Sequence, residues 1–193
     1  MRTIKCQETC VTPNQLNLLF QSRMVWRDLS VWTRAFLETK HGGLGDPDAI
    51  REKFNELLGR ITNVINLVFG EQVADRYLDF SNNFFNGLND LVDAQILGDT
   101  EAVDELAQQL HKNSQQAADF FAEINPYWSR SKWRDFFYQY TQNAIDESTT
   151  FLEERVMDNI DMFDKILLLS SQMGEHYAQG IFDYLRSSSR TIV

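Results

Sequence analysis

Apolar positions along this chain recur at helical spacing. From Leu18 they run through Val25, Leu29, Trp32 and Phe36, in steps of seven, four, three and four, so they share one face of a helix. Pro13 suits the start of that helix, with Asn14 as a capping residue, and Gly42, Gly43 and Gly45 stop it after His41. Asp46-Pro47 is a cap followed by proline at the first helical position, and Ile50, Phe54, Leu57, Ile61, Val64 and Val68 trace a second stripe that Gly70 closes. A third stripe, Val73, Tyr77, Phe80, Phe84, Leu88 and Leu91, ends at Gly98.

Asp99-Thr100 begins a fourth helix, with Glu101 and Asp104 at the positive end of its dipole and Val103, Leu106, Leu110, Ala117, Phe120 and Ile124 on its apolar face. Asn125-Pro126 ends it, because the residue before a proline avoids the helical region. A fifth helix starts at Ser129 or Ser131 and carries Trp133, Phe136, Tyr140, Ala144 and Phe151. A sixth carries Ile160, Phe163, Leu167, Met173, Tyr177, Ile181 and Leu185. Around Val156 to Asn159 the pattern leaves open whether these last two are one kinked helix.

No segment alternates with period two, so no strand is expected. Short connections between long amphipathic helices predict an all-α fold, an antiparallel up-and-down bundle of about six helices built from hairpins. The expected organisation is a flexible segment over 1–13, one bundle over 14–186 and a flexible tail over 187–193. Trp26-Arg27-Asp28-Leu29 echoes Trp133-Arg134-Asp135-Phe136, with Tyr77-Leu78-Asp79-Phe80 as a weaker version. Each is read as opening a helix. A repeated hairpin and chance similarity explain this echo equally well.

The chain has 193 residues with only three prolines, which suits one globular domain with long helices. A formal net charge of −10 sets it against nucleic-acid backbones and anionic membranes and favours partners with basic patches. Only two cysteines, Cys6 and Cys10, are present, and they are expected to be free thiols. No signal-like start and no apolar run near the roughly 20 residues of a membrane span occur, so the expected location is the cytoplasm.

Candidate chemistry is sparse. Arg23, Arg27 and Arg34 share a helix face, and Trp26 and Trp32 stand beside them. Such a group could hold a carboxylate or phosphate under an aromatic roof. The competing reading pairs the arginines with acidic residues of neighbouring helices and packs the tryptophans in the core. A Glu-x-x-His pair, Glu38 and His41, is half of a helical-bundle di-metal motif, and His111 and His176 are the only further histidines. They are weak metal candidates, and no cofactor is expected. Neither a Gly-x-Ser-x-Gly elbow nor a glycine-rich phosphate loop is present. Ser22, Ser170, Gly174 and one of Asn113 and Ser114 lie at core-facing positions. Such a polar seam lines a small-molecule cavity or is satisfied by local backbone bonds. Thr191-Ile192-Val193 also matches a C-terminus that adds a strand to a peptide-binding domain.

Val31-Trp32-Thr33-Arg34, Leu97-Gly98-Asp99, Asp164-Lys165-Ile166 and Gly180-Ile181-Phe182 together resemble a family of bacterial helical-bundle proteins with a Trp-Thr-Arg signature in the first helix. Some of its members carry labels such as acetylglutamate kinase or glycosyltransferase. The resemblance spans about Leu18 to Leu185 and implies a helical bundle. It gives no support to the kinase label, which belongs to an α/β enzyme. It also implies histidines three positions before the Trp-Thr-Arg and on the third and fifth helices. Here those places hold Leu29, Ser81 or Asn82, and Tyr140, so any ligand the family's histidines bind would be lost in this chain.

The expected function is a non-enzymatic binding or interaction module. Its partner would be a protein or small molecule, or a second copy of the chain in a homo-oligomer. A metal-binding bundle or metalloenzyme, and a carrier or sensor using the polar seam, are the alternatives.

Overall fold

The computed structural model of the protein describes residues 11–43 and 45–188. Six helices account for nearly all of them: α1 Pro13–Gly42, α2 Pro47–Phe69, α3 Glu71–Leu97, α4 Thr100–Ile124, α5 Arg130–Leu152 and α6 Val156–Ser188. Among the described residues there is no strand. No described helix is long and apolar enough to cross a membrane.

The local signals act where the chain places them. Asp46 accepts from the backbone of Asp48 and Ala49, Asp99 from Ala102, and Ser129 from Lys132. Gly43 and Gly98 end α1 and α3 in the left-handed conformation that glycine tolerates. The first cap differs from expectation. Thr12, not Asn14, accepts from Gln15, whose side chain returns a bond to the Thr12 backbone. That box places Pro13 inside the helix. At the other end α6 continues through Ser187 to Ser188. The ambiguity after α5 also resolves. Glu154 turns the chain at a φ of 55°, so α5 and α6 are separate helices.

Each helix packs on the next, and α6 closes the ring against α1. The odd-numbered helices also touch one another across the interior. Neighbours are antiparallel. As numbers rise along α1 through Ser22 and Ser30 to Arg34, their partners on α6 fall through Gly174 and Ser170 to Phe163. The closest seam is α1 on α6. A Cβ on Gly174 would stand 2.6 Å from the Ser22 carbonyl oxygen, so only glycine lets the two backbones approach this far.

The core draws side chains from all six helices and is aromatic at one end, where Trp26, Phe121, Trp128, Trp133 and Tyr177 stack and tilt against one another. Trp26 and Trp133, the two ends of the sequence echo, are in contact with ring centroids 5.7 Å apart. Trp133 lies near the start of α5, but Trp26 sits in the middle of α1. The echo therefore does not mark two equivalent hairpins.

Candidate functional site

The stripes of the odd helices meet around a cavity of about 80 Å³ at the middle of the bundle. From α1 come Trp26 and Leu29. From α3 come Tyr77, Ser81 and Phe84, from α4 Asn113 and Ser114, and from α5 Tyr140 and Thr141. Leu58 of α2 and Met173 of α6 complete the wall. The lining is largely aromatic, with a few polar groups set into it, the usual character of a small-molecule site.

Most of those polar groups are already engaged. Ser114 bonds the Leu110 carbonyl and lies 2.6 Å from the Thr141 hydroxyl, Asn113 donates to the Phe80 carbonyl, and the Tyr140 hydroxyl lies 3.2 Å from that of Thr33. One group is not. The Trp26 side chain is buried, lines the cavity, and its indole N–H has no acceptor among the described residues. A buried donor without a partner costs free energy unless water or a ligand supplies one. Burial also raises the pKa of both Tyr77 and Tyr140, so the cavity keeps its phenols neutral and presents no charge.

The arginine stripe does not act as a unit. Arg34 turns inward at the far end of α1. It pairs with Glu147 at 2.6 Å and Glu38 at 3.0 Å, and its guanidinium lies over the rings of Phe151 and Phe163. Burial pushes the Glu147 carboxyl up to about 7, against the pull of the Arg34 hydrogen bond and charge. Arg27 donates to Ser171, and Arg23 is exposed on the outer face. Trp32 is half-buried and packs against the core rather than roofing the arginines. Of the five residues singled out in α1, only Trp26 reaches the cavity.

The four weak metal candidates are scattered. Glu38 holds Arg34, His111 stacks on Tyr138 and meets Gln142, and His176 packs against Trp133 and Phe136, where burial lowers its pKa to about 4. His41 lies 2.8 Å from the Ser148 hydroxyl. That hydroxyl is fully buried and donates to Gln95, so its proton is committed and the pair is no nucleophile with its base. Among the described residues no three histidine, cysteine or acidic side chains are grouped to hold a metal ion. Cys6, Cys10 and the Thr191-Ile192-Val193 terminus lie outside the described residues.

The polar seam divides into two. Ser22, Ser170 and Gly174 belong to the tight α1–α6 contact, where Ser170 bonds the Ile166 carbonyl and sits 2.5 Å from Ser30. Asn113 and Ser114 both line the cavity. So do Leu29, Ser81 and Tyr140, three of the places set apart in the sequence because histidine is absent there. Sequence reasoning missed Leu58 and Thr141 and placed Phe84 only on the third apolar stripe. Leu58 and Thr141 fall outside the apolar stripes, and the spacing that includes Phe84 carries no sign of a void beside it. No family model, curated protein or solved structure matches this chain.

Proposed function

We propose that this protein is a non-enzymatic binding protein whose ligand is a small, uncharged, mostly apolar group with one hydrogen-bond acceptor, held in the central cavity. The observation that carries this reading is the largely aromatic wall of the cavity, which includes Trp26, a residue whose buried indole N–H has no partner among the described residues. An apolar-lined cavity recruits apolar guests, and a small reorientation of the Trp26 ring would let its unmet donor select among them for an acceptor. The volume of about 80 Å³ is roughly half that of an engineered cavity that takes up benzene, which suits a group of about three or four heavy atoms. Leu29, Ser81 and Tyr140 are a poor donor set for a metal, because leucine offers no ligand atom and burial holds the phenol protonated. The resemblance in sequence is consistent with a bundle whose central site has exchanged ligating groups for a neutral pocket.

Acetone is a suitable probe, with four heavy atoms and one carbonyl. In a ¹H–¹⁵N spectrum it is expected to move the Trp26 indole resonance and leave that of Trp128, whose N–H already bonds the Tyr177 carbonyl at 3.2 Å. Ala117 is buried on the same cavity wall. Ala117→Leu fills the space, so the folded variant should show no shift. A Trp26 resonance that ignores acetone in the wild type would sink the reading.

A further inference from the structure

We infer that the outer face of α1 is a docking surface for another protein, and that what docks there is an amphipathic helix with acidic flanks. The face lies outside the central cavity, and the inference stands apart from the reading of that cavity. Along α1, Leu16, Phe20, Met24 and Val31 follow one another in steps of four, four and seven, so they form one ridge, and all four are exposed. Phe20 is 53% and Met24 56% exposed. Leu168 of α6, also exposed, stands one turn from Ser171, which accepts from Arg27, and widens the apolar surface at that level. Single exposed apolar side chains are ordinary on a monomer, whereas a row of them along about four turns of one helix marks an interaction surface. Beside the ridge the α1–α2 seam opens a chamber of about 80 Å³, lined in part by Leu18, Met24, Val25, Ile61 and Val64. That is room for one leucine-sized side chain, the kind of anchor on which a docked helix concentrates its affinity.

The charge on this face runs against that of the chain. The net charge is −10, yet no Asp or Glu stands between Glu8 and Asp28, the longest such interval among the 28 acidic residues. The same stretch carries Arg23 and Arg27, both exposed, three residues beyond Phe20 and Met24 and therefore beside them on the helix surface. Arg23 has no ion-pair partner among the described residues, and Arg27 uses one nitrogen on Ser171 at 3.1 Å. Asp28 on α1 and Glu175, which follows the Gly174 packed against Arg23, pair with neither. Two guanidinium groups are thus left for carboxylates from outside. Charges more than about 8 Å away are largely screened at physiological ionic strength, so a helix lying along α1 meets these arginines and little of the acidic remainder. A second copy docked face to face would set arginine against arginine. An anionic bilayer would extend past the face and meet the acidic flanks of the bundle.

The test pans the full-length protein against a displayed library of helical peptides of about 18 residues, long enough to follow the ridge. Their apolar face is leucine or phenylalanine, and each flanking position is Glu, Gln or Lys in equal proportion. The expected result is enrichment of Glu over Lys at the flanks by at least about tenfold, in peptides that move the methyl resonances of Met24 and Val31. Phe20→Ser should weaken those peptides by about tenfold or more. Arg23→Glu combined with Arg27→Glu should reverse the choice toward Lys flanks, with the melting temperature near that of the wild type because both side chains are exposed. Binders with no flank preference or with Lys flanks, binders that leave Met24 and Val31 unmoved, or no binders at all overturn the inference. So does an undiminished Glu preference in the doubly reversed variant. Light scattering and vesicle sedimentation cover the rival occupants. Dimerisation, or binding to phosphatidylserine–phosphatidylcholine vesicles, that Phe20→Ser abolishes would assign the face to a second copy or to a membrane and overturn it as well.

Discussion

Replacing Gly180 by alanine is expected to destabilise the protein by about 3 kcal/mol or more, even though alanine is intrinsically the better helix former by about 1 kcal/mol. The added Cβ would sit 1.9 Å from the Trp128 indole nitrogen, a separation no rotamer adjustment absorbs. Trp128 has nowhere to go. It is 2% exposed, stacked on Tyr177 with centroids 5.3 Å apart, edge-on to Trp133, and bonded through its N–H to the Tyr177 carbonyl. The substitution must push α6 away from the α4–α5 connection or expel the indole. For a chain of this size the melting temperature should fall by roughly 10 °C. Trp128→Leu removes the obstructing ring, so Gly180→Ala should cost much less in that background, and the cycle should give a coupling energy of at least about 1 kcal/mol. A single substitution that melts within a degree or two of the wild type would show that this corner is far looser than described.

The second large effect concerns Arg34 and Glu147. Glu147 is 1% exposed and its one buried counter-charge is Arg34, so Arg34→Met strands a carboxylate in the core. The expected loss at pH 8 is about 3 kcal/mol. The dependence on pH follows from the direction of the shift. Burial raises the folded-state pKa of Glu147 to about 7, above its ordinary 4.5, so the fold favours the neutral acid. The resulting contribution is complete below pH 4.5 and is lost as pH rises to about 7, a change on the order of 3 kcal/mol over that window. Glu147→Gln should remove this slope and be more stable than the wild type at pH 8 by roughly 1–3 kcal/mol, with the difference vanishing near pH 4.5. The double variant should recover most of what Arg34→Met loses. Urea unfolding at pH 4.5, 6 and 8 measures all of this. A wild-type protein equally stable relative to Glu147→Gln at every pH would place Glu147 in contact with water.

Much of the fold was legible because its signals are local. Asp46-Pro47, Gly43, Gly98 and the Asn125-Pro126 break each act within a turn of where they stand, and their chemistry is the same in any helical protein. The heptad-like stripes told which face of each helix is buried. They could not tell what that face meets. Arg34 was singled out, but Glu147 stands 113 residues away and is one of many acidic residues, with nothing nearby in sequence to mark it as buried. Gly180 was noticed as part of a resemblance, yet its reason is Trp128, which belongs to no stripe. The cavity is the extreme case. Trp26 was noted beside the arginines, Ser114 in the polar seam, and Leu29, Ser81 and Tyr140 as places without histidine, and only packing brings them around one space. A void is set by the mismatch of volumes across several helices, and a one-dimensional pattern of apolar positions does not carry it.

Whether that space admits a guest can be measured without knowing the natural ligand, by diffraction from a crystal of the wild-type protein held under xenon. Xenon enters apolar cavities and needs no hydrogen bond, so it reports on the cavity alone. The expected result is one strong anomalous peak bounded by Trp26, Leu58, Phe84 and Ser114, absent in Ala117→Leu. A wild-type crystal with no peak at that place, or with side chains collapsed into it, would contradict the proposed binding site.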